Sequence, residues 1–264
     1  MYFQTLPDFL IIGAQKAGTS SLFFYLGQHP EIVLPPEKEL HFFDINYSRG
    51  INWYLKQFPE KVKESKIKTG EASPYYLYHP LAAERVASYC PESKLIVMLR
   101  NPADRAYSHF MMQKVKHTEP CATFEEAISL EPERLKGETD KMREDPLYYS
   151  FNHQKFSYLD RGLYSSQIKH WMKYFPIEQF LVIRSEDFFK YPHVELTRVY
   201  NFLGLSQVFT YDFKPVNTNS YKPMTETTRT YLNAYYEEEK KNLVSLLGNS
   251  FQWKEEHSGS LSSL

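Results

Sequence analysis

The chain has 264 residues, 42% of them hydrophobic and 16% aromatic, which is enough buriable surface for a large folded core and too much for a disordered protein. A net charge of -1, from 31 Lys+Arg against 32 Asp+Glu, disfavours a whole-surface grip on nucleic acid or anionic lipid. Two cysteines, Cys90 and Cys121, make neither a disulfide framework nor a zinc ligand set, and no aliphatic run approaches the ~18 residues of a membrane span. A cytoplasmic setting follows as an expectation, for a free protein or for a domain excised from a larger one. One domain over residues 1–254 is expected, followed by a disordered Ser-rich tail at 255–264.

In chain order, Phe9 to Ile12 is the first aliphatic run without polar alternation, and Leu95 to Leu99 and Phe180 to Ile183 repeat it; Thr69 to Ala72 is a shorter candidate. Such runs read as strands buried on both faces of a parallel sheet. Helical periodicity lies between them, in Ala82/Val86/Tyr89/Cys90, Tyr164/Ile168/Trp171/Met172/Phe175 and Leu196/Val199/Tyr200/Leu203. A helix is expected from about Pro102, and Thr123-Phe-Glu-Glu126 has capping-box spacing, opening a short helix that carries Ala127 and Leu130. Glu131 to Asp145, broken by Pro132 and Gly137 and followed by Pro146, reads as a surface excursion or lid. His29 and His79, each before proline, look structural, whereas His153 and Tyr158 border the excursion and are candidates to face a substrate. Alternating strands and helices make the class α/β.

Two segments carry anion-binding chemistry. Phe9 to Ile12 runs into Gly13-Ala-Gln-Lys-Ala-Gly-Thr-Ser20 and then a helix, so a glycine-bracketed loop joins a buried strand to a helix N-terminus, where backbone N–H groups and hydroxyls collect phosphate. Against the nucleotide-triphosphate loop G-x-x-x-x-G-K-[ST], Thr19 replaces the lysine, and Lys16 sits two residues before Gly18, at the apex, within reach of the 5′ side of a shorter nucleotide. The second segment is Arg100-Asn-Pro-Ala-Asp-Arg-Ala-Tyr-Ser108, an arginine at the C-terminal end of a strand followed by a helix; Arg100 and Ser108 can flank a second phosphate, or Arg100 can simply pair with Asp104.

With both segments in view, the chain resembles the sulfotransferases that use 3′-phosphoadenosine 5′-phosphosulfate (PAPS), from about Leu6 to Trp253. Gly13 to Ser20 matches the family's 5′-phosphosulfate loop, and Leu99 to Ser108 its 3′-phosphate segment. Lys38-Glu-Leu-His-Phe-Phe-Asp44 is similar to the K-E-x-H-F-F-D stretch of the heparan-sulfate branch and of bacterial relatives, including sulfotransferase domains of polyketide and olefin synthases. Gly70-Glu-Ala-Ser-Pro-Tyr-Tyr76, Arg161-Gly-Leu-Tyr164 and Tyr221-Lys-Pro-Met224 fit as well. Ala72, where the heparan 3-O-sulfating enzymes have a lysine, and the lack of their C-terminal disulfide cysteines set the chain nearer the bacterial branch.

The resemblance implies a P-loop-like central parallel β-sheet flanked by helices, with PAPS as donor and no metal. It implies Gln15, Lys16, Ala17, Gly18, Thr19 and Ser20 on the 5′-phosphosulfate, Arg100 and Ser108 on the 3′-phosphate, and Tyr164, Lys222 and Arg229 as further cofactor contacts. Tyr164 also lies on the apolar stripe of Ile168 and Trp171, where core packing is the competing role. Glu39 falls at the position of a catalytic base and His41 at that of a neighbouring histidine.

From the chemistry alone, Lys16 meets the charge growing on the leaving phosphate, and Glu39 and His41, i and i+2 in an extended segment, share one face and the removal of the hydroxyl proton. Glu39 is the favoured base and His41 its rival; an exposed acid beside Lys38 and a polar cap on Phe42-Phe43 are their ordinary roles. A P-loop nucleotide kinase or NTPase, and a non-catalytic nucleotide-binding module, are the alternative functions. The acceptor is expected to be a hydroxylated carbohydrate, a small molecule or a β-hydroxyacyl chain on an acyl carrier protein. No nucleic-acid partner is expected, and the protein is read as a monomer or weak dimer.

Overall fold

The computed structural model describes residues 2–3, 6–62, 66–208, 213 and 221–253; the tail at 255–264 lies outside them. Six strands are present among these residues: β1 (Tyr2–Phe3), β2 (Phe9–Gly13), β3 (Lys61–Val62), β4 (Gly70–Ala72), β5 (Lys94–Leu99) and β6 (Phe180–Arg184). The expected aliphatic runs form a four-stranded, all-parallel sheet in the order β4-β2-β5-β6. β2 and β4 are buried throughout and β5 is buried beyond its first residue, which is why their sequences lack alternation. The antiparallel pair β1 and β3 was too short to be legible as a pattern.

The helices are α1 (Thr19–Leu26), α2 (Ile51–Leu55), α3 (Ala82–Tyr89), α4 (Pro102–Val115), α5 (Phe124–Leu135), α6 (Glu138–Glu144), α7 (Phe151–Lys155), α8 (Tyr164–Trp171), α9 (Ser185–Lys190), α10 (Pro192–Leu203), α11 (Glu226–Tyr235) and α12 (Glu237–Leu247). The chain leaves β2 toward β4 on one side and leaves β5 toward β6 on the other, so the strand order reverses between β2 and β5. The crevice outside the carboxyl ends of that strand pair is where open parallel sheets bind ligands. Both candidate anion segments leave the sheet there.

One core surrounds the sheet, and a second cluster, with Phe110, Phe124, Tyr158, Leu232 and Tyr236, joins α4, α5 and α11. Among the described residues no helix is long and apolar enough to cross a membrane.

The capping box forms as spelled: Thr123 Oγ1 accepts from Glu126 N, and the Glu126 carboxylate accepts from Thr123 N. The excursion expected at 131–145 is instead helical. α5 continues through Pro132 to Leu135, and α6 follows after Gly137. Tertiary contacts override the two breakers. Buried Glu131 accepts from the N–H groups of Leu159 and Asp160, and buried Glu138 accepts from Lys141, Tyr148 and Ser150. α5 carries Ala127 and Leu130 as expected, with Ala127 buried and Leu130 exposed.

Candidate functional site

At the end of β2 the backbone must pass close to Leu77. A Cβ on Gly13 would lie 2.6 Å from the Leu77 Cβ, so only glycine fits. Ala14 N then donates to Met98 O at 2.7 Å, which pins the loop to β5. Lys16 adopts φ 71° and Gly18 φ 93°, both left-handed, before α1 begins at buried Thr19 with the positive end of its dipole. Burial, then Arg100, then Lys116 push the Lys16 ammonium below the usual lysine range. Arg100 Nη1 donates to Lys16 O at 3.3 Å. Among the described residues neither Lys16 nor Arg100 forms an ion pair with a carboxylate. The Arg100 charge disfavours the Lys16 ammonium, and an anion bound beside both would offset that repulsion.

Asp104 does not take Arg100. It pairs at 2.5 Å with Arg229 of α11, which thereby docks on the first turn of α4. Asn101 caps α4 by accepting from the N–H groups of Ala103 and Asp104, and Ser108 is buried two turns further on. Tyr164 is fully buried, and its hydroxyl donates to Arg100 O at 3.0 Å, so its polar contact is with the backbone of the arginine. The Lys222 side chain is exposed, while its carbonyl accepts from Tyr107 of α4 at 2.9 Å.

Glu39 and His41 are brought together, but not by extended backbone as the i, i+2 spacing suggested. Their φ angles are 66° and 53°, both left-handed. Three bonds hold this shape: Glu39 N to Ala72 O at 3.1 Å, His41 N to Ser73 Oγ at 3.0 Å, and Phe42 N to the Tyr76 hydroxyl at 2.8 Å. Behind them lies Glu71, fully buried, which accepts from Ser73, Tyr76 and Tyr54, each at 2.8 Å. Burial lifts the Glu71 carboxyl above its ordinary range while the three hydroxyls pull it down.

His41 Nδ1 lies 2.8 Å from Asp44 Oδ2, and its Nε2 lies 3.5 Å from Glu39 Oε2. Burial alone would lower His41, but Asp44 and then Glu39 outweigh it and raise it to about 10. Burial likewise opposes ionisation of Glu39, yet His41 and Lys38, whose ammonium is 2.5 Å away, bring it down to about 2. The pair is therefore an imidazolium and a carboxylate at neutral pH.

Gln15, Glu39, His41, Pro74 and Tyr75 line one cavity with Met112 and Gln113 of α4, Lys116 just past its C-terminal end, and Gln154 and Lys155 of α7. Of these latter walls the sequence marked only Lys116, which with Lys114 and His117 forms a local basic cluster able to grip an anionic glycan; Ser108, Met112 and Lys116 recur at i, i+4 and i+8, a signal that could have found Met112 as well. His153 and Tyr158 do not face the cavity. His153 is buried 2.7 Å from the Tyr75 hydroxyl and stacks on Tyr78, and Tyr158 donates to Glu119 at 2.6 Å. The histidine is one residue from Gln154 of the wall and is buried against Tyr75, which lines the cavity. Sequence reasoning also gave no part in the site to Asp44, which touches His41, to Glu71 behind the Glu39–His41 loop, or to Arg161, which touches Gln15.

Residues 6–257 match the family model described as a sulfotransferase domain. A sulfotransferase structure from Alicyclobacillus acidocaldarius is 32% identical with a TM-score of 0.73, covering 92% of this chain and 96% of that one. The membrane-associated sulfotransferase kil1 of Dictyostelium discoideum is 28% identical over 94% of this chain and 67% of its own length. The human bifunctional heparan sulfate N-deacetylase/N-sulfotransferase 3 is 32% identical over 92% of this chain, which spans only 30% of that protein.

Proposed function

The chain belongs to the sulfotransferase domain family, and from that premise we propose that it moves the sulfuryl group of PAPS to an acceptor hydroxyl at the cavity lined by Gln15, Glu39 and His41. The donor supplies an activated S–O bond, which breaks as a new S–O bond forms to the acceptor oxygen and 3′-phosphoadenosine 5′-phosphate (PAP) departs. Lys16 and the N–H groups of Gln15 to Ser20 meet the charge that grows on the departing phosphate, and Arg100 with Ser108 holds the 3′-phosphate. Glu39 takes the hydroxyl proton. With a carboxyl near 2 it is a weak base, so the proton leaves late, after bonding to sulfur has acidified the acceptor oxygen. His41, already protonated, cannot take that proton; held by Asp44, it orients Glu39. Lys222 and Arg229 act from the flank of α4 that carries Ser108, and Tyr164 acts through the Arg100 backbone.

The observation that carries this reading is that the Arg100 guanidinium reaches the Lys16 carbonyl at the reversal of strand order and, after burial, pushes the Lys16 ammonium down, while neither forms an ion pair with a carboxylate among the described residues. A kinase is not favoured, because Thr19 stands where its lysine is needed and Arg100, not an acidic magnesium ligand, follows β5. Lys116 and Lys155 on the cavity wall suit a hydroxylated acceptor that also bears an anionic group, and the heparan sulfate named in the human relative supports a glycan over a neutral chain on a carrier protein. The domain is read as one unit over residues 1–254. Incubation with PAPS labelled in sulfur, against glycans, phenols, sterols and carrier-bound hydroxyacids, tests the reading. Label should move to one class with equal release of PAP; full PAP binding with no label transferred anywhere would instead mark a non-catalytic module.

A further inference from the structure

Arg161, the first residue of Arg161-Gly-Leu-Tyr164, is 1% exposed, an unusual place for a guanidinium. Its Nη1 donates to Gln15 Oε1 at 2.6 Å, and its Nη2 donates to the carbonyls of His153 at 3.0 Å and Gln154 at 2.8 Å. The rings of Tyr75 and Tyr78 flank it, each centroid 4.9 Å away. One side chain thus joins the apex of the donor loop to α7, whose Gln154 and Lys155 form a wall of the cavity. An arginine has no acceptor, so only the carbonyl oxygen of the Gln15 amide can face it. The NH2 is then the half of the amide turned away from the guanidinium, on a residue that lines the cavity and precedes Lys16.

We propose that Arg161 is a positioning residue that locks the Gln15 amide with its NH2 toward the sulfuryl group, and so registers the acceptor wall against the donor loop. This rests on the sulfotransferase reading above. Sulfuryl oxygens are acceptors only, and an amide NH2 held in place by a buried cation meets them without reorganisation. A freely rotating glutamine would present its oxygen half the time and repel them. Arg161 remains charged at neutral pH: burial lowers it to about 10, and no further.

Calorimetry with two nucleotides tests this directly, because PAPS carries the sulfuryl group and PAP lacks it. Gln15→Glu keeps an acceptor for Arg161 and replaces the NH2 by a carboxylate oxygen. It should weaken PAPS by about tenfold more than PAP, and Gln15→Ala by about threefold more. Arg161→Gln should shift the PAPS-to-PAP ratio as Gln15→Ala does, and the double variant should shift it no further, since the arginine acts only through the amide. An unchanged ratio in folded Gln15→Glu overturns the proposal, as do independent, multiplying effects in the double variant. If Arg161→Gln does not fold, the Gln15→Glu ratio decides alone. A wild-type protein that binds neither nucleotide overturns the donor reading itself and this proposal with it, whereas wild-type binding with an unmoved ratio sinks only the latter.

Discussion

The proposed donor loop, residues 13–20, and the proposed base loop, residues 38–44, solve one conformational problem by different means. Each holds non-glycine residues left-handed, Lys16 in the first and Glu39 and His41 in the second, at a cost of about 1–2 kcal/mol per residue. In the donor loop the turn is built from backbone: Gly13 and Gly18 supply the permissive positions, and Ala14 N and Ala17 N close bonds to Met98 O and Ala14 O. In the base loop no glycine helps. Side chains from β4 and the turn after it, Ser73 and Tyr76, grip the backbone and lean on buried Glu71. On the proposed roles, the loop for a constant nucleotide is written in glycines, while the loop that aims a carboxylate is written in a hydroxyl network.

If the two loops divide donor binding from proton removal, their variants should fail differently. Glu39→Gln should lower kcat by about a thousandfold while PAP affinity stays within threefold, because the amide keeps the shape and loses the base. Lys16→Met should lower kcat by about a hundredfold and weaken PAP as well, since the ammonium serves both the leaving phosphate and the bound one. Equal losses of PAP affinity in both variants would erase the distinction. Ser73→Ala should destabilise the fold by about 1–3 kcal/mol, seen as a lower denaturation midpoint, by stripping His41 N of its acceptor and Glu71 of a donor.

The smallest effect expected is none at all. His41 is raised from its ordinary value of 6.5 to about 10, so its protonated form and the stability it brings are full below 6.5 and lost only as pH rises through about 10. Glu39 is depressed from 4.5 to about 2, so its contribution is full above 4.5 and lost as pH falls toward 2. Neither group titrates between about pH 5 and 8, and kcat/KM should be flat there. A limb near 6.5 would mean that His41 is neutral in the working enzyme and that the base loop is wired otherwise.

What the sequence made legible follows the same division. β2, β5 and β6 were readable because unbroken aliphatic runs have few other uses, and the donor loop because paired glycines after a strand narrow the geometry. Arg100 was readable from its place at a strand end. The base loop could be recognised only as a run of residue types: a left-handed Glu39 or His41 leaves no trace in composition, and the spacing suggested an extended segment. Glu71 was hidden because a wholly buried carboxylate in a three-residue strand looks like an exposed one until Tyr54, Ser73 and Tyr76 are seen to converge on it. Pro132 and Gly137 concealed the end of α5 and all of α6 because local propensity was outweighed by the contacts of buried Glu131 with Leu159 and of buried Glu138 with Ser150.

Titration of the wild-type protein and Arg100→Ala with PAP and with adenosine 5′-phosphate, which lacks the 3′-phosphate, tests whether two cradles grip one nucleotide. Wild type should prefer PAP by about a hundredfold, and Arg100→Ala should lose most of that preference while its affinity for adenosine 5′-phosphate holds. Equal affinities in the wild type, or a preference that survives the loss of the guanidinium, would contradict the account.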